Sequence, residues 1–370
     1  HAVRATLFAT GATAAALENH SPEYIAAVSR LWDNMIGKRM FITGGVGAVH
    51  FDEKFGPDYF LPTDAYLETC AAVGAGFFSQ RMNELTGDAK YMDELERTLY
   101  NNVLTGISLS GTQYTYQNPL NSAKHARWSW HDCPCCPPMF LKMMSAMPGF
   151  IYSQKGSDVY VNLFVGSETE MTLADRNRVR LTQKTGYPWE GVVTMTVEPE
   201  KEKTFILKVR IPGWAQGVEN PYGLYRSEVR SAVSLKVNGK SVPLKIFKGY
   251  AEIQRKWKKG DQVELTLPVQ PRLVTANEAV ADLQDKVAIA AGPFVYCLEG
   301  CDNEGLADLK VDMRSPLSIT FEKGLLNGIN VIKGQALDKT GKKVPVTAIP
   351  YYALGNRQDK GYAVWIPASK

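Results

Sequence analysis

The sequence predicts a helical domain followed by antiparallel β-sandwich structure, an expectation that rests on three observations. Up to about residue 152, apolar residues recur at intervals of three and four, the helical period. Past Gly156 the apolar runs are short, β-branched and of period two. Turn signals then fall at Pro212-Gly213, Asn238-Gly239 and Lys259-Gly260-Asp261, which is the rhythm of hairpins rather than of βαβ units. The expected class is multidomain α + β.

In the first half the helical period is clearest over residues 24–36, 71–85, 91–104 and 139–147, with a further apolar face over 2–17. Ser21-Pro22-Glu23 reads as a helix start with proline near the first position. Thr86-Gly87-Asp88 closes one helix and opens the next, and Pro137-Pro138 precedes another. In the second half, residues 159–165, 192–197, 204–211, 234–237 and 262–267 read as strands. Ala291-Gly292-Pro293 and the polar stretch 299–304 suggest a seam. The expected domains are therefore 1–153 (helical), 154–300 (β-sandwich) and 301–370, a further β segment that completes the sandwich or forms a small unit of its own. Five helical segments are fewer than most closed helical barrels need, so the helical half reads as incomplete.

Composition narrows the function. With 370 residues and 45% hydrophobic content the chain can bury a sizeable core. The apolar stretches 70–78 and 287–298 are shorter than the ~18 residues of a membrane span. The formal charge of +4 is dispersed, with no run of like charge to track a phosphate backbone, which argues against nucleic acid as a partner. The sequence opens at His1 without a methionine or leader pattern and so reads as a processed product or a piece of something longer. It leaves bacterial periplasm and cytoplasm equally open, and it does not speak to oligomeric state.

The densest chemical signal is the stretch 128–139, Trp-Ser-Trp-His-Asp-Cys-Pro-Cys-Cys-Pro-Pro-Met. Thiols crowded this closely rarely meet disulfide geometry with one another, and they point to metal or nucleophilic work. Cys133 and Cys136 have zinc-knuckle spacing, Cys135 and Cys136 are adjacent, and spacing alone does not choose between the pairs. Glu68 and Cys70 are the nearest further donors. Being two apart, they can reach one ion only from an extended segment or a helix entry, and Thr63-Asp64 makes such an entry plausible. Upstream, the glycine-rich 43–47 lacks the Lys-Ser/Thr of a phosphate loop. It reads instead as a flexible loop delivering His50, Asp52 and Glu53, where a general acid could sit. Aromatic residues cluster at Tyr114, Tyr116, Trp128 and Trp130, whose faces suit either a core or a sugar ring. Cys297 and Cys301 read as incidental thiols and are assigned no role. Thiols, acids and aromatics together favour a carbohydrate site over a redox one.

These pieces resemble a known family. Gly44-Gly-Val-Gly with Glu53 downstream, Leu61-Pro, Glu68-Thr-Cys70, Tyr100-Asn101, Asn118-Pro-Leu120, Cys133-Pro-Cys-Cys-Pro-Pro138 and Ile211-Pro-Gly-Trp214 are similar to glycoside hydrolase families 127 and 146. The likeness runs from His1 through the first sandwich and thins after about Gly300. It implies the C-terminal part of an (α/α)6 barrel followed by β-sandwich domains, and retaining release of terminal β-L-arabinofuranose from plant glycans or glycoproteins. It further implies Zn2+ held by Glu68, Cys70, Cys135 and Cys136, with Cys135 as nucleophile and Glu53 as acid/base. His1, Glu96 and Tyr116 are implied as sugar contacts. Two other readings stand beside it: a catalytically silent carbohydrate-binding protein with a structural zinc site, and a thiol redox or zinc-structural protein built on Cys133 and Cys136.

Overall fold

The computed structural model describes residues 1–124, 127–129, 134–228 and 231–369. Trp130 and Cys133, and with Cys133 the knuckle pairing, lie outside the described residues. Among the described residues five α-helices open the chain: α1 (Ala2–Asn19), α2 (Pro22–Lys38), α3 (Thr69–Thr86), α4 (Lys90–Thr98) and α5 (Cys136–Ala146). The caps read from the sequence are present. Ser21 accepts the Tyr24 N–H at the start of α2, and Gly87 closes α3 in the left-handed region at φ 64°.

Helix α3 is the centre of the helical part, buried along nearly its whole length. Helix α1 comes so close to it that a Cβ at Gly74 would stand 2.1 Å from Thr6 Oγ1, so glycine is required there. Helix α4 does not stop at Thr98 but winds on through a wide turn at Leu99–Val103 and a tight one at Leu104–Gly106. Among the described residues no helix is long and apolar enough to cross a membrane.

The first sandwich pairs a six-stranded sheet with a five-stranded one. Strand Arg178–Thr185 alternates exposed and buried residues, and its inward side chains join those of Lys203–Arg210 in one core that holds Phe205, Leu207 and Trp257. Asn238-Gly239 makes the expected hairpin turn, with both residues at positive φ. Arg210, fully buried, leaves this sandwich to pair with Asp93 at 2.6 Å and with Glu96 on α4, locking the two units together.

The seam falls elsewhere than expected. Ala291-Gly292-Pro293 is the turn of a hairpin whose strands, Lys286–Ala291 and Phe294–Glu299, pair with each other. Both belong with Pro271–Ala276 to an eleven-stranded sheet that continues to Ile366–Ser369. The break between β units therefore lies near residue 270 and not at 299–304, and residues 301–370 do not complete the first sandwich. The same sheet takes in Asn121–Ser122 from the helical part, paired with Tyr362–Ala363.

Candidate active site

The glycine-rich segment is no flexible loop: Phe41 through Ala48 are all buried. Gly47, at φ 92°, lies where a Cβ would stand 2.8 Å from Ala2 Cβ, so the segment is pressed against α1. It holds two things in place. Gly47 and Ala48 carbonyls accept the N–H groups of Leu67 and Tyr66 at 3.0 and 3.2 Å, and Val49 pairs with Lys54 around a one-turn 3-10 helix, Phe51–Glu53. Asp52 and Glu53 both stand at positive φ, 55° and 50°. Two successive non-glycine residues in this region cost of order 1–3 kcal/mol each. The turn thus spends backbone energy to aim the Glu53 carboxylate.

Glu68 is the N-cap of α3, with extended backbone at φ −60° and ψ 136°, and Cys70 lies in the first turn. This is the helix entry that two donors two residues apart require to converge. Asn118 fixes it, donating to the Leu67 carbonyl and Thr69 Oγ1 at 2.9 Å each, while Thr69 N–H donates to the Tyr116 carbonyl at 3.0 Å. From the other side α5 starts at Cys136 with Cys135 as its N-cap.

Four donors meet there. Glu68, Cys70, Cys135 and Cys136 offer ligand atoms all within 4.8 Å of one another. Sulfur atoms of Cys70 and Cys136 are 3.3 Å apart, those of Cys135 and Cys136 are 3.8 Å apart, and Glu68 Oε1 lies 3.6 Å from Cys135 Sγ and 3.8 Å from Cys136 Sγ. A tetrahedral zinc with sulfur at about 2.3 Å spaces its ligands by about 3.8 Å, so these separations match the edges of such a site. Glu68 Oε2 is buried without a hydrogen-bond partner among the described residues. Burial works against ionisation of these acids. Burial, then the Glu53 carboxylate, pushes Glu68 up to about 7, and burial pushes Cys135 up to about 12 against the opposing hydrogen bond from Tyr116. Cys70 is raised by the hydrogen bond it gives Cys136 and by burial. Three thiols and an orphaned carboxylate oxygen form a set that a divalent cation would satisfy.

Glu53 stands beside this group. His1 Nε2 lies 2.7 Å from its Oε2, and Tyr66 donates its hydroxyl to Oε1 at 3.0 Å. Tyr116 packs with Cys135 against the buried Cys70, Tyr114 and Cys136, and stacks on the ring of Trp128, which is 43% exposed at the rim. Of the expected residues the structure thus brings together Glu53, Glu68, Cys70, Cys135, Cys136, His1 and Tyr116. His1 meets the Glu53 carboxylate directly, besides any sugar it contacts.

Glu96 is not among them. Its carboxylate is 1% exposed, held by Arg210 and by the Tyr187 hydroxyl at 2.8 Å, and it faces the first sandwich rather than the thiols. The expectation of a sugar contact is therefore corrected: both oxygens already serve a buried ion pair between domains. Tyr66 was not singled out from the sequence. No spacing rule would have found it, because Leu67, between Tyr66 and Glu68, stands in the left-handed region at φ 46° and breaks the alternation of an extended stretch. A second grouping of Glu299, Cys301 and Asp302 already holds a cation, the Arg357 guanidinium, and Cys297 is a buried thiol beneath it.

Comparison with known proteins gives one consistent picture. Family models described as the β-L-arabinofuranosidase GH127 catalytic domain, the GH127 middle domain and the glycoside hydrolase family 127 C-terminal domain match residues 1–149, 158–269 and 271–367. The non-reducing end β-L-arabinofuranosidase of Bifidobacterium longum subsp. longum is 28% identical over 399 residues, covering 97% of this chain and 58% of its own length. Among solved structures, a GH127 β-arabinofuranosidase superposes with TM-score 0.94 at 39% identity, over all of this chain and 60% of its own. A GH127 β-L-arabinofuranosidase from Geobacillus stearothermophilus T6 gives 0.93 at 36%, with the same coverage. The chain spans about 60% of the length of these relatives.

Proposed function

The chain belongs to glycoside hydrolase family 127, and from that premise we propose that its protein releases β-L-arabinofuranose, or a related terminal sugar, from plant glycans or glycoproteins with retention of configuration. The observation that carries the reading is the meeting of Glu68, Cys70, Cys135 and Cys136 within 4.8 Å, beside a Glu53 carboxylate held by two donors. Glu68, Cys70, Cys135 and Cys136 would hold Zn2+, which when bound keeps sulfur in the thiolate form at neutral pH and lowers its basicity.

The roles of the side chains follow from their chemistry. Cys135, the most open of the cluster's three thiols, is the one placed to reach the anomeric carbon. As its sulfur forms a bond there, Glu53 gives a proton to the departing oxygen. Glu53 then takes a proton from water, whose oxygen displaces the sulfur from the opposite face. Two displacements restore the original configuration. Tyr116 packs beside Cys135 on the same buried cluster and so flanks its sulfur. Trp128 offers an exposed aromatic face at the rim, suited to the C–H face of a sugar.

Replacing Cys135 with Ser in the full-length protein is expected to abolish turnover of a nitrophenyl β-L-arabinofuranoside. Circular dichroism and melting temperature should stay near wild type, and wild-type substrate should give a β-product by proton NMR. Full activity in Cys135→Ser would falsify the nucleophile assignment, and an α-product would rule out retention.

A further inference from the structure

We infer that Tyr66 is the positioning residue of the acid/base, holding the Glu53 carboxylate at a fixed reach from Cys135; this rests on the glycosidase reading above. Glu53 sits on a turn whose backbone is closed by the Val49–Lys54 pair, but nothing in that turn fixes the far end of its side chain. It is 27% exposed at its side chain, and it and Asp52 occupy the left-handed region. A carboxylate on such a turn has rotamers to choose from, and a proton donor off its mark by about 1 Å loses about two orders of magnitude in rate. Something rigid has to choose the rotamer.

Tyr66 has the rigidity that the Glu53 side chain lacks. Its N–H donates to Ala48 at 3.2 Å and its carbonyl accepts from Asn118 at 3.2 Å, so the backbone is fixed on both sides. Its ring is gripped edge-to-face by His50, with centroids 5.3 Å apart, and by Tyr116 at 6.1 Å. The residue is 7% exposed, and its hydroxyl ends on Glu53 Oε1 at 3.0 Å. The contact with Tyr116 matters most, because Tyr116 and Cys135 pack against the same buried cluster of Cys70, Tyr114 and Cys136. Two packed phenol rings thus span the space between the acid/base and the nucleophile, and the Tyr66 hydroxyl holds the first of these groups. His1 binds the other oxygen of Glu53, but from a half-exposed position and from a different helix start. The ring pair provides a direct mechanical link between the two reacting groups.

Tyr66→Phe keeps the ring and its packing and removes only the hydroxyl. The readout that separates positioning from general structure is the dependence on leaving group. The ratio kcat/KM reports the steps up to departure of the leaving group, and there a proton donor matters for a sugar or alkyl alcohol and little for a nitrophenol. In the full-length protein, Tyr66→Phe is expected to lose about 10- to 100-fold in kcat/KM on a disaccharide or alkyl arabinofuranoside, and under about threefold on the nitrophenyl one. Zinc content and melting temperature should match wild type. Glu53→Gln is the reference and should show the same split, larger. An equal loss on both substrates in Tyr66→Phe, or no loss on either, overturns the inference. If Glu53→Gln itself shows no split, the acid/base assignment fails, and that is a different result from failure of Tyr66→Phe alone. Loss of zinc in Tyr66→Phe would mean that the hydroxyl serves the metal-ligand cluster instead, and likewise overturns the inference.

Discussion

Asn118, 1% exposed, uses its side-chain amide three ways: it donates to the Leu67 carbonyl and to Thr69 Oγ1 and accepts from Thr115 Oγ1 at 2.8 Å. One side chain therefore sets the segments that carry Glu68 and Tyr116 at a fixed distance. Removing it leaves the buried Leu67 carbonyl without its partner, while the Thr69 and Thr115 hydroxyls keep the Thr115 and Thr105 carbonyls, and an unmet buried polar group costs about 1–3 kcal/mol. Asn118→Ala is expected to lose about 3 kcal/mol in denaturant unfolding, with reduced zinc retention at neutral pH. A loss under about 1 kcal/mol with full zinc binding would count against this role. The Asn118-Pro-Leu120 motif was legible in the sequence, but its work was not, because its partners lie some fifty positions upstream. The same limit explains Glu96. Sequence places it on a helix with the right neighbours, but the Arg210 that claims it comes from 114 positions away. Cys135, Cys136, Glu68 and Cys70 were legible because their chemistry is local: two short segments, each at the mouth of a helix.

At the scale of elements, helix boundaries were readable wherever a cap residue or proline marked them, as at Ser21-Pro22 and Gly87. The glycine-rich segment misled because glycine signals both freedom and close approach, and only the packing against α1 decides between them. Gly292 misled in the same way, a hairpin turn that read as a break between domains. The end of α2 carries a testable charge arrangement. Lys38 and Arg39, at the negative end of the helix dipole, both bind Asp58, at 2.8 and 2.7 Å, and so tether the loop that follows the Glu53 turn. The hydrogen bonds from Lys38 and Arg39 hold the Asp58 carboxyl down to about 2, below its ordinary 3.8. A carboxyl lowered on folding contributes stability above its unfolded value, and that contribution fades as pH falls through the folded one. Because the group is well exposed, the contribution at neutral pH stays within about 1 kcal/mol. Asp58→Asn should therefore be slightly less stable than wild type at neutral pH, and the gap should close between about pH 4 and 2 in parallel urea titrations. A gap that widened toward acid would mean the carboxylate is not stabilising.

On the scale of the whole molecule, the three family models divide the chain at residues 149–158 and 269–271, as though it were three separable units. The packing says otherwise for the last. Its eleven-stranded sheet begins with a strand from the helical part, Asn121–Ser122, and Asn121 Oδ1 accepts the N–H groups of Val364 and Trp365 at 3.0 and 3.1 Å. Asn101, on the turn that extends α4, exchanges hydrogen bonds with Pro293 and Val295 at 3.0 and 2.7 Å. One buried apolar cluster mixes Phe41, Leu61, Leu67 and Leu120 from the helical part with Val274, Ile349, Tyr351 and Trp365 from the sheet. Tyr351 also donates to the Asn118 carbonyl at 2.9 Å, so the sheet backs the very residue that fixes the Glu68 entry. Cutting the chain after Val269 would expose that cluster and strip partners from Asn101, Asn118 and Asn121, a loss far beyond the roughly 5–15 kcal/mol that holds a typical domain folded. The truncated protein is therefore expected to be insoluble, or to unfold without a cooperative transition and without retained zinc, while the intact chain melts with its tryptophan fluorescence and zinc release in step. A soluble 1–269 fragment with a sharp melt and bound metal would show instead that the sheet is an appendage, and that the boundary between the family models is also the boundary of folding.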